Sequence, residues 1–341
     1  MKINYSISSL RAIAIIQVLL IHVFSYYFHS ATSTIFLIPF FDQIIQSAVP
    51  IFIFISGYTL SLRYWENFSI KTFYKKRFKN IIFPYAFFST LYIVIPSLID
   101  GTPIIFDFED FLNILFDPWN FYYVFWYIAL ISSFYIFYPL LLKIFLCYKN
   151  QLFLVLMASI LIQIVYRYFH FFIIISLESL SNFIVLYKFL YWILNYSFLR
   201  FISYFVLGVY ICKNYSKLDS NRKFIYLLTI PVFIFATLGA IINSYIFEPF
   251  FSIFIILIYL VFLLNKQNFF LETTAKYSFG MYLIHALIMD YVVRLLDLSF
   301  NYWYFYLFSF VLTFTFSISI IFGLSKVPKS HYLIGKTEIN Y

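Results

Sequence analysis

The chain has 341 residues, of which 64% are hydrophobic and only 11% charged, whereas soluble globular domains carry about a quarter charged residues. That balance excludes a soluble enzyme, and the net charge of +9 does not indicate nucleic acid, because the basic residues are dispersed rather than gathered in one patch. Two cysteines, Cys147 and Cys212, exclude a disulfide framework or a cysteine-built metal site.

Apolar runs of about 20 residues mark membrane spans. They predict ten helices, near 8–28, 43–62, 81–99, 122–142, 151–169, 196–212, 224–244, 249–265, 278–296 and 302–325. The fold class is therefore all-α and polytopic. Lys2 precedes the first run and no small-residue cleavage pattern follows it, so it reads as a retained span rather than a signal peptide. With the N-terminus in the cytoplasm, 19 of the 23 Lys and Arg residues fall on inner segments, and only Arg167, Lys188, Arg200 and Arg294 on the outer half. This positive-inside bias places both termini in the cytoplasm. The acidic stretch "DGTPIIFDFEDFLNILFDP" (100–118) has no basic residue and lies outside. Between 170 and 195 the apolar pieces "FFIIIS" and "FIVLYKFLYWIL" are each short for a span and fit interfacial or re-entrant segments. Two crossings there would leave the parity of the later loops unchanged. One membrane domain, 1–330, with a short cytoplasmic tail, 331–341, is expected.

The first span, "LRAIAIIQVLLIH" (10–22), carries Arg11 and His22 eleven positions apart. At about 100° per residue these share a helix face, separated by about 16 Å along the axis. Arg11 then sits at the cytoplasmic boundary and His22 near the middle of a hydrocarbon core about 30 Å thick. An ionisable group at that depth points into protein or a wet cavity. A neutral imidazole can serve as a general base, and a guanidinium fork suits phosphate or carboxylate. Taken singly, Arg11 also reads as a positive-inside anchor and His22 as an interhelical hydrogen-bonding group.

The same stretch resembles the Arg–ten residues–His signature in the first span of the acyltransferase family 3 membrane proteins. Further matches follow in order: "VPIFIFISGYTLS" (49–61), "FYKKRFKNIIFPY" (73–85), "FWYIALISSFYIFYPLLLK" (125–143), "RFISYFVLGVYICK" (200–213) and "AKYSFGMYLIHALIM" (275–289). The resemblance implies a ten-helix enzyme of the bacterial cytoplasmic membrane. Such an enzyme takes an acyl group, usually acetyl, from cytoplasmic acyl-CoA and places it on a hydroxyl of a surface or lipid-linked carbohydrate. It implies Arg11 and His22 as the paired catalytic residues, Arg11 also binding the donor. Two acidic positions found in some members are missing: "AVPIF" has none before helix two's aromatic run, and Ile131, Ser132 and Ser133 stand where others have a glutamate. A second, acidic catalytic partner is thereby put in doubt, and the chain moves toward a branch that includes polysaccharide modifiers and exporters. No appended hydrolase-like domain is read.

Other residues carry paired readings. Arg77 matches the family's arginine and, with Lys76, would clamp the phosphates of CoA; Lys75 and Lys79 face lipid, and the whole group also fits positive-inside charge beside anionic lipid. Ser56 and Gly57 allow either a backbone approach to the donor or close helix packing. Trp126 and Tyr127 read as a stacking wall for a sugar or as an aromatic belt. Tyr282 and His285, on one face with Ser278, read as substrate contacts or as an interhelical polar cluster. His29, His170 and His331 fall at span ends and are expected to be solvated. No metal is expected. The expected partners are the glycan acceptor and membrane lipid, with no nucleic acid and a homo-oligomer left open. The rival class is an exporter or flippase of a polysaccharide or lipid-linked sugar, which a polar residue in mid-membrane suits equally.

Overall fold

The computed structural model describes residues 3–30, 37–104, 106–177, 183–220, 229, 230, 232, 234, 248–263, 267–295 and 303–335. All regular structure among them is helical. Seven stretches of the described residues are long and apolar enough to cross a membrane: Tyr5–Phe24, Asp42–Tyr64, Ile70–Asp100, Tyr123–Cys147, Lys149–His170, Ile184–Tyr215 and Tyr304–Ser325. The chain is a polytopic membrane protein. The expected span at 224–244 falls almost wholly outside the described residues, as do Lys2, Arg222, Lys223, Lys266 and Lys336 and the side chain of His29.

Contacts divide the chain into two compact units, residues 1–55 with 216–341, and residues 56–215. In the first, α1 (Ile3–Ser30) packs on α2 (Leu37–Gln46), α12 (Glu248–Leu263), α13 (Phe269–Leu295) and α14 (Trp303–Ser325). The reason is visible along α1, where Ile7, Leu10, Ala14, Ile15 and Val18 are all buried; these positions recur at the three- and four-residue spacing of one helix face. Polar anchors fix its depth. The Gln17 amide donates to the Ile44 carbonyl at 3.0 Å, the Ser47 hydroxyl at 3.3 Å and the Tyr259 hydroxyl at 3.2 Å. The Ser6 hydroxyl donates to the Leu263 carbonyl at 3.0 Å. Helix α13 has 27 residues and is about 40 Å long, yet its Thr274, Ser278 and His285 are polar and buried. Its partner α14 presents Ser309, Thr313 and Ser317, all fully buried, at four-residue intervals. Small residues in such a column let two helix backbones approach.

The second unit holds the end of α3 (Ala48–Tyr64), then α4 (Ile70–Arg77), α5 (Phe83–Asp100), α6 (Phe108–Phe116), α7 (Pro118–Phe121), α8 (Trp126–Cys147), α9 (Leu152–Leu177), α10 (Ile184–Asn195) and α11 (Ile202–Ser220) up to Tyr215. Between α4 and α5 the chain widens into a π turn, Phe78–Ile82, immediately before Pro84. Proline has no N–H to give the preceding turn and its ring crowds the carbonyl four residues back, and a wider turn relieves both. The interior is aromatic: Phe73 stacks on Tyr138 at 5.1 Å and Phe134 on Phe205 at 4.9 Å. The Tyr138 hydroxyl donates to the Leu60 carbonyl at 3.1 Å, and Gln163 of α9 accepts from the Ser203 amide and hydroxyl of α11 at 2.9 and 2.7 Å.

The 170–195 region resolves into a continuation and a short helix. α9 runs on to Leu177, and α10 has 12 residues, or about 18 Å, too short to cross the core alone. Helix α10 packs on α9 and on α6, where Lys188 is nearly buried, 3.3 Å from the Glu109 carboxylate and hydrogen-bonded to the Asn113 amide oxygen. Because α9 extends past His170, that side chain is half-buried, with an enclosed Nε2, and not solvated as expected. His331 packs against Tyr332, ring centroids 4.1 Å apart.

Candidate functional site

His22 lies on α1 within a run of apolar neighbours. It is half-buried. Its ring lies against that of His285 of α13, with centroids 5.2 Å apart and planes tilted by 35°. His285 is fully buried. Its Nδ1 stands 2.7 Å from the Tyr282 carbonyl one turn back on the same helix. A carbonyl can only accept, so Nδ1 carries the hydrogen and, in the neutral ring, Nε2 is a bare lone pair. That Nε2 is buried and has no hydrogen-bond partner among the described residues. The Tyr282 ring stands 6.0 Å from His285, and the Ser278 hydroxyl is turned to the Ala275 carbonyl at 2.9 Å.

Arg11 is half-buried on α1, about 16 Å along the axis from His22. Arg11, His22, Tyr282 and His285 thus all belong to the first unit, and α1 and α13 bring the two histidines together although 263 positions separate them. Gln17, between Arg11 and His22, was not singled out from the sequence. The signal for it is an amide in an otherwise apolar run, which must find partners when buried. Among the described residues no group of three or more His, Cys, Asp or Glu side chains could hold a metal ion.

The second unit carries the other residues. Arg77 ends α4, just before the π turn. Its guanidinium carbon stands 5.2 Å from the Phe73 ring centroid and 4.7 Å from that of Tyr135, so the cation is held between two aromatic faces. Its Nε is buried without a hydrogen-bond partner among the described residues. Arg77 lines an open cavity of 220 Å³ with Tyr74, Phe78, Ser132, Tyr135 and Ile136, among others, and the Tyr74 hydroxyl ties α4 to α8 through the Ile136 carbonyl at 2.9 Å. The supporting role of Tyr135 also escapes the sequence, since it comes from another helix. Lys76 is half-buried, whereas Lys75 and Lys79 are exposed.

Ser56 is half-buried. Gly57 faces α11 so closely that an added Cβ would lie 2.0 Å from the Phe205 carbonyl oxygen; the contact requires a glycine. Trp126 opens α8 with its ring 6.2 Å from Phe201, and the guanidinium carbons of Arg167 and Arg200 stand 6.0 and 5.8 Å from that same Phe201 centroid. Tyr127 is half-buried beside it. Nearby, outside the spans, the buried Asp117 accepts from the Tyr196 hydroxyl at 2.9 Å and the Asn120 amide at 2.6 Å. Burial pushes its carboxyl above the usual carboxylate range, and the hydrogen bonds and Lys188 offset only part of that.

A family model described as an acyltransferase domain, acyltransferase 3, matches residues 4–322. Comparison with curated proteins and with solved structures finds no match.

Proposed function

The chain belongs to the acyltransferase 3 family, and from that premise we propose that it moves an acyl group, acetyl in the simplest case, from acyl-CoA to a carbohydrate hydroxyl of the cell envelope. The observation that carries this reading is His22, a half-buried imidazole of α1 against the His285 ring, with Arg11 further along the same helix. The membrane is the bacterial plasma membrane, and the acceptor is a surface glycan or its lipid-linked precursor.

The chemistry follows from the side chains. Arg11 offers a planar fork to the anionic part of the donor, and Arg77, preset between two rings, offers phosphate its free N–H groups at low entropic cost. His22 takes the proton of the acceptor hydroxyl as the oxygen attacks the thioester carbon. The C–O bond forms, the C–S bond breaks, and the departing thiolate recovers the proton from the imidazolium. Trp126 supplies an aromatic face for a sugar ring.

The test is His22→Ala in a cell whose envelope glycan is analysed for alkali-labile ester. Loss of ester on a polymer that still reaches the surface supports the transferase. Loss of export with ester intact overturns it in favour of an exporter.

A further inference from the structure

The reaction asks more of His22 than its presence. A neutral imidazole has two interchangeable nitrogens, and only one tautomer leaves a lone pair facing the hydroxyl to be deprotonated. In enzymes that use histidine as a base, a second group fixes that choice by accepting the other N–H, and a carboxylate often does so. Here the environment is membrane interior, where an isolated carboxylate is costly, and the stretch of α8 at Ile131, Ser132 and Ser133 is free of acidic residues.

Among the described residues, His285 stands beside His22. Its ring centroid is 5.2 Å from that of His22. Imidazole atoms lie about 1.2 Å from their centroid, so two nitrogens placed on the line between the rings would stand about 3 Å apart, within hydrogen-bond range. The tautomer of His285 is set by its own helix, since Nδ1 donates to the Tyr282 carbonyl at 2.7 Å. That leaves Nε2 as a bare acceptor, fully buried and without a partner among the described residues. A buried acceptor left unsatisfied costs about 1–3 kcal/mol, a cost relieved if it receives an N–H during the catalytic cycle. Ser278 does not compete for it, because its hydroxyl is committed to the Ala275 carbonyl.

We propose that His285 is the positioning residue for His22: its Nε2 accepts one N–H of the His22 ring and holds the other His22 nitrogen bare toward the acceptor hydroxyl. The inference rests on the assignment of His22 as the base. His285 gains and loses no proton. When His22 becomes imidazolium, the hydrogen bond to a neutral acceptor steadies the new charge, and when the thiolate takes the proton back the pair returns to its starting state. A neutral partner provides this without placing a permanent negative charge in the membrane.

The experiment uses the full chain in lipid bilayers with ¹⁵N-labelled histidine, the His22 signals being assigned by their loss in His22→Gln. Acetyl transfer from acetyl-CoA to membranes of the producing cell is measured alongside. Leucine at 285 keeps the volume and removes the acceptor; glutamine keeps an acceptor oxygen. His285→Leu is expected to move the His22 nitrogen shifts and to lower turnover about 10- to 100-fold, the scale on which supporting partners of a functional histidine act, with KM for acetyl-CoA unchanged. His285→Gln is expected to recover most of the turnover. Unchanged His22 shifts and turnover in His285→Leu would overturn the inference, as would a glutamine variant no better than leucine at equal thermal stability. If His22→Gln itself keeps full transfer, the assignment of the base fails first, and that result is read separately from the 285 variants.

Discussion

Gly57 of α3 and Phe205 of α11 touch backbone to backbone, leaving only 2.0 Å between the Phe205 carbonyl oxygen and the place where a Cβ on residue 57 would stand. No side chain can swing away to relieve that overlap, because the obstacle is main chain. Gly57→Ala therefore has to push the two helices apart, at a cost on the order of 1–3 kcal/mol or more. Thermal unfolding of the purified protein should show a clear drop in Tm for Gly57→Ala, while Ser56→Ala, at a half-buried neighbour, stays close to wild type.

A second prediction concerns Gln17. Its amide nitrogen serves three acceptors contributed by α2, the turn after it and α12. Gln17→Leu keeps the size but strands those acceptors, and a buried polar group left unpaired costs about 1–3 kcal/mol. The expected result is lower thermal stability with little change in the KM for acetyl-CoA. Wild-type stability in Gln17→Leu would show that α1 is not anchored by this amide.

Arg77 is expected to act on donor binding. Removing its guanidinium in Arg77→Ala takes away the cation held between Phe73 and Tyr135. The predicted outcome is a KM for acetyl-CoA raised about tenfold, the scale of one charge-assisted contact, with turnover at saturation largely kept. Arg77→Lys should recover only part, since an ammonium lacks the planar stack. An unchanged KM would remove Arg77 from the donor site.

Asp117 gives a pH prediction. Its folded carboxyl holds a proton to higher pH than an exposed one because burial disfavours the charge. The folded state therefore binds more proton than the unfolded state above the ordinary carboxylate range, and stability must fall as pH rises through that window. Thermal unfolding of wild type and Asp117→Asn from pH 4 upward should show the wild type losing ground relative to the variant. A difference that stays flat with pH would mean the carboxyl is not perturbed.

Much of the architecture is encoded locally and is legible in the amino-acid sequence on its own. The Arg11–His22 spacing places both on one face of α1 because helix geometry alone decides it. The start of α6 is signalled by Asp107 and Asp110, which form a reciprocal capping box, and Pro84 marks the disturbed turn after α4. Pairing between distant segments is not legible in this way. His22 meets His285, and Arg77 meets Tyr135, through the packing of helices whose mutual order no periodicity encodes. The reach of α9 to Leu177 is hidden too, because a run of Phe and Ile gives no stop signal at the membrane edge. Gly57 is legible as a small residue, but whether it serves a ligand or a neighbouring helix is decided by what lies opposite, and Phe205 is 148 positions away.

The most direct measurement of the central claim is acetyl transfer by the purified full chain. Radiolabelled acetyl-CoA is mixed with membranes of the producing cell, and alkali-labile label on carbohydrate is counted for wild type, His22→Gln and Arg11→Ala. The account predicts that His22→Gln lowers the transfer rate by about 10² to 10⁴ while the variant still folds and still binds acetyl-CoA. It predicts that Arg11→Ala chiefly weakens donor binding. Label delivered to carbohydrate by His22→Gln at the wild-type rate would contradict the account.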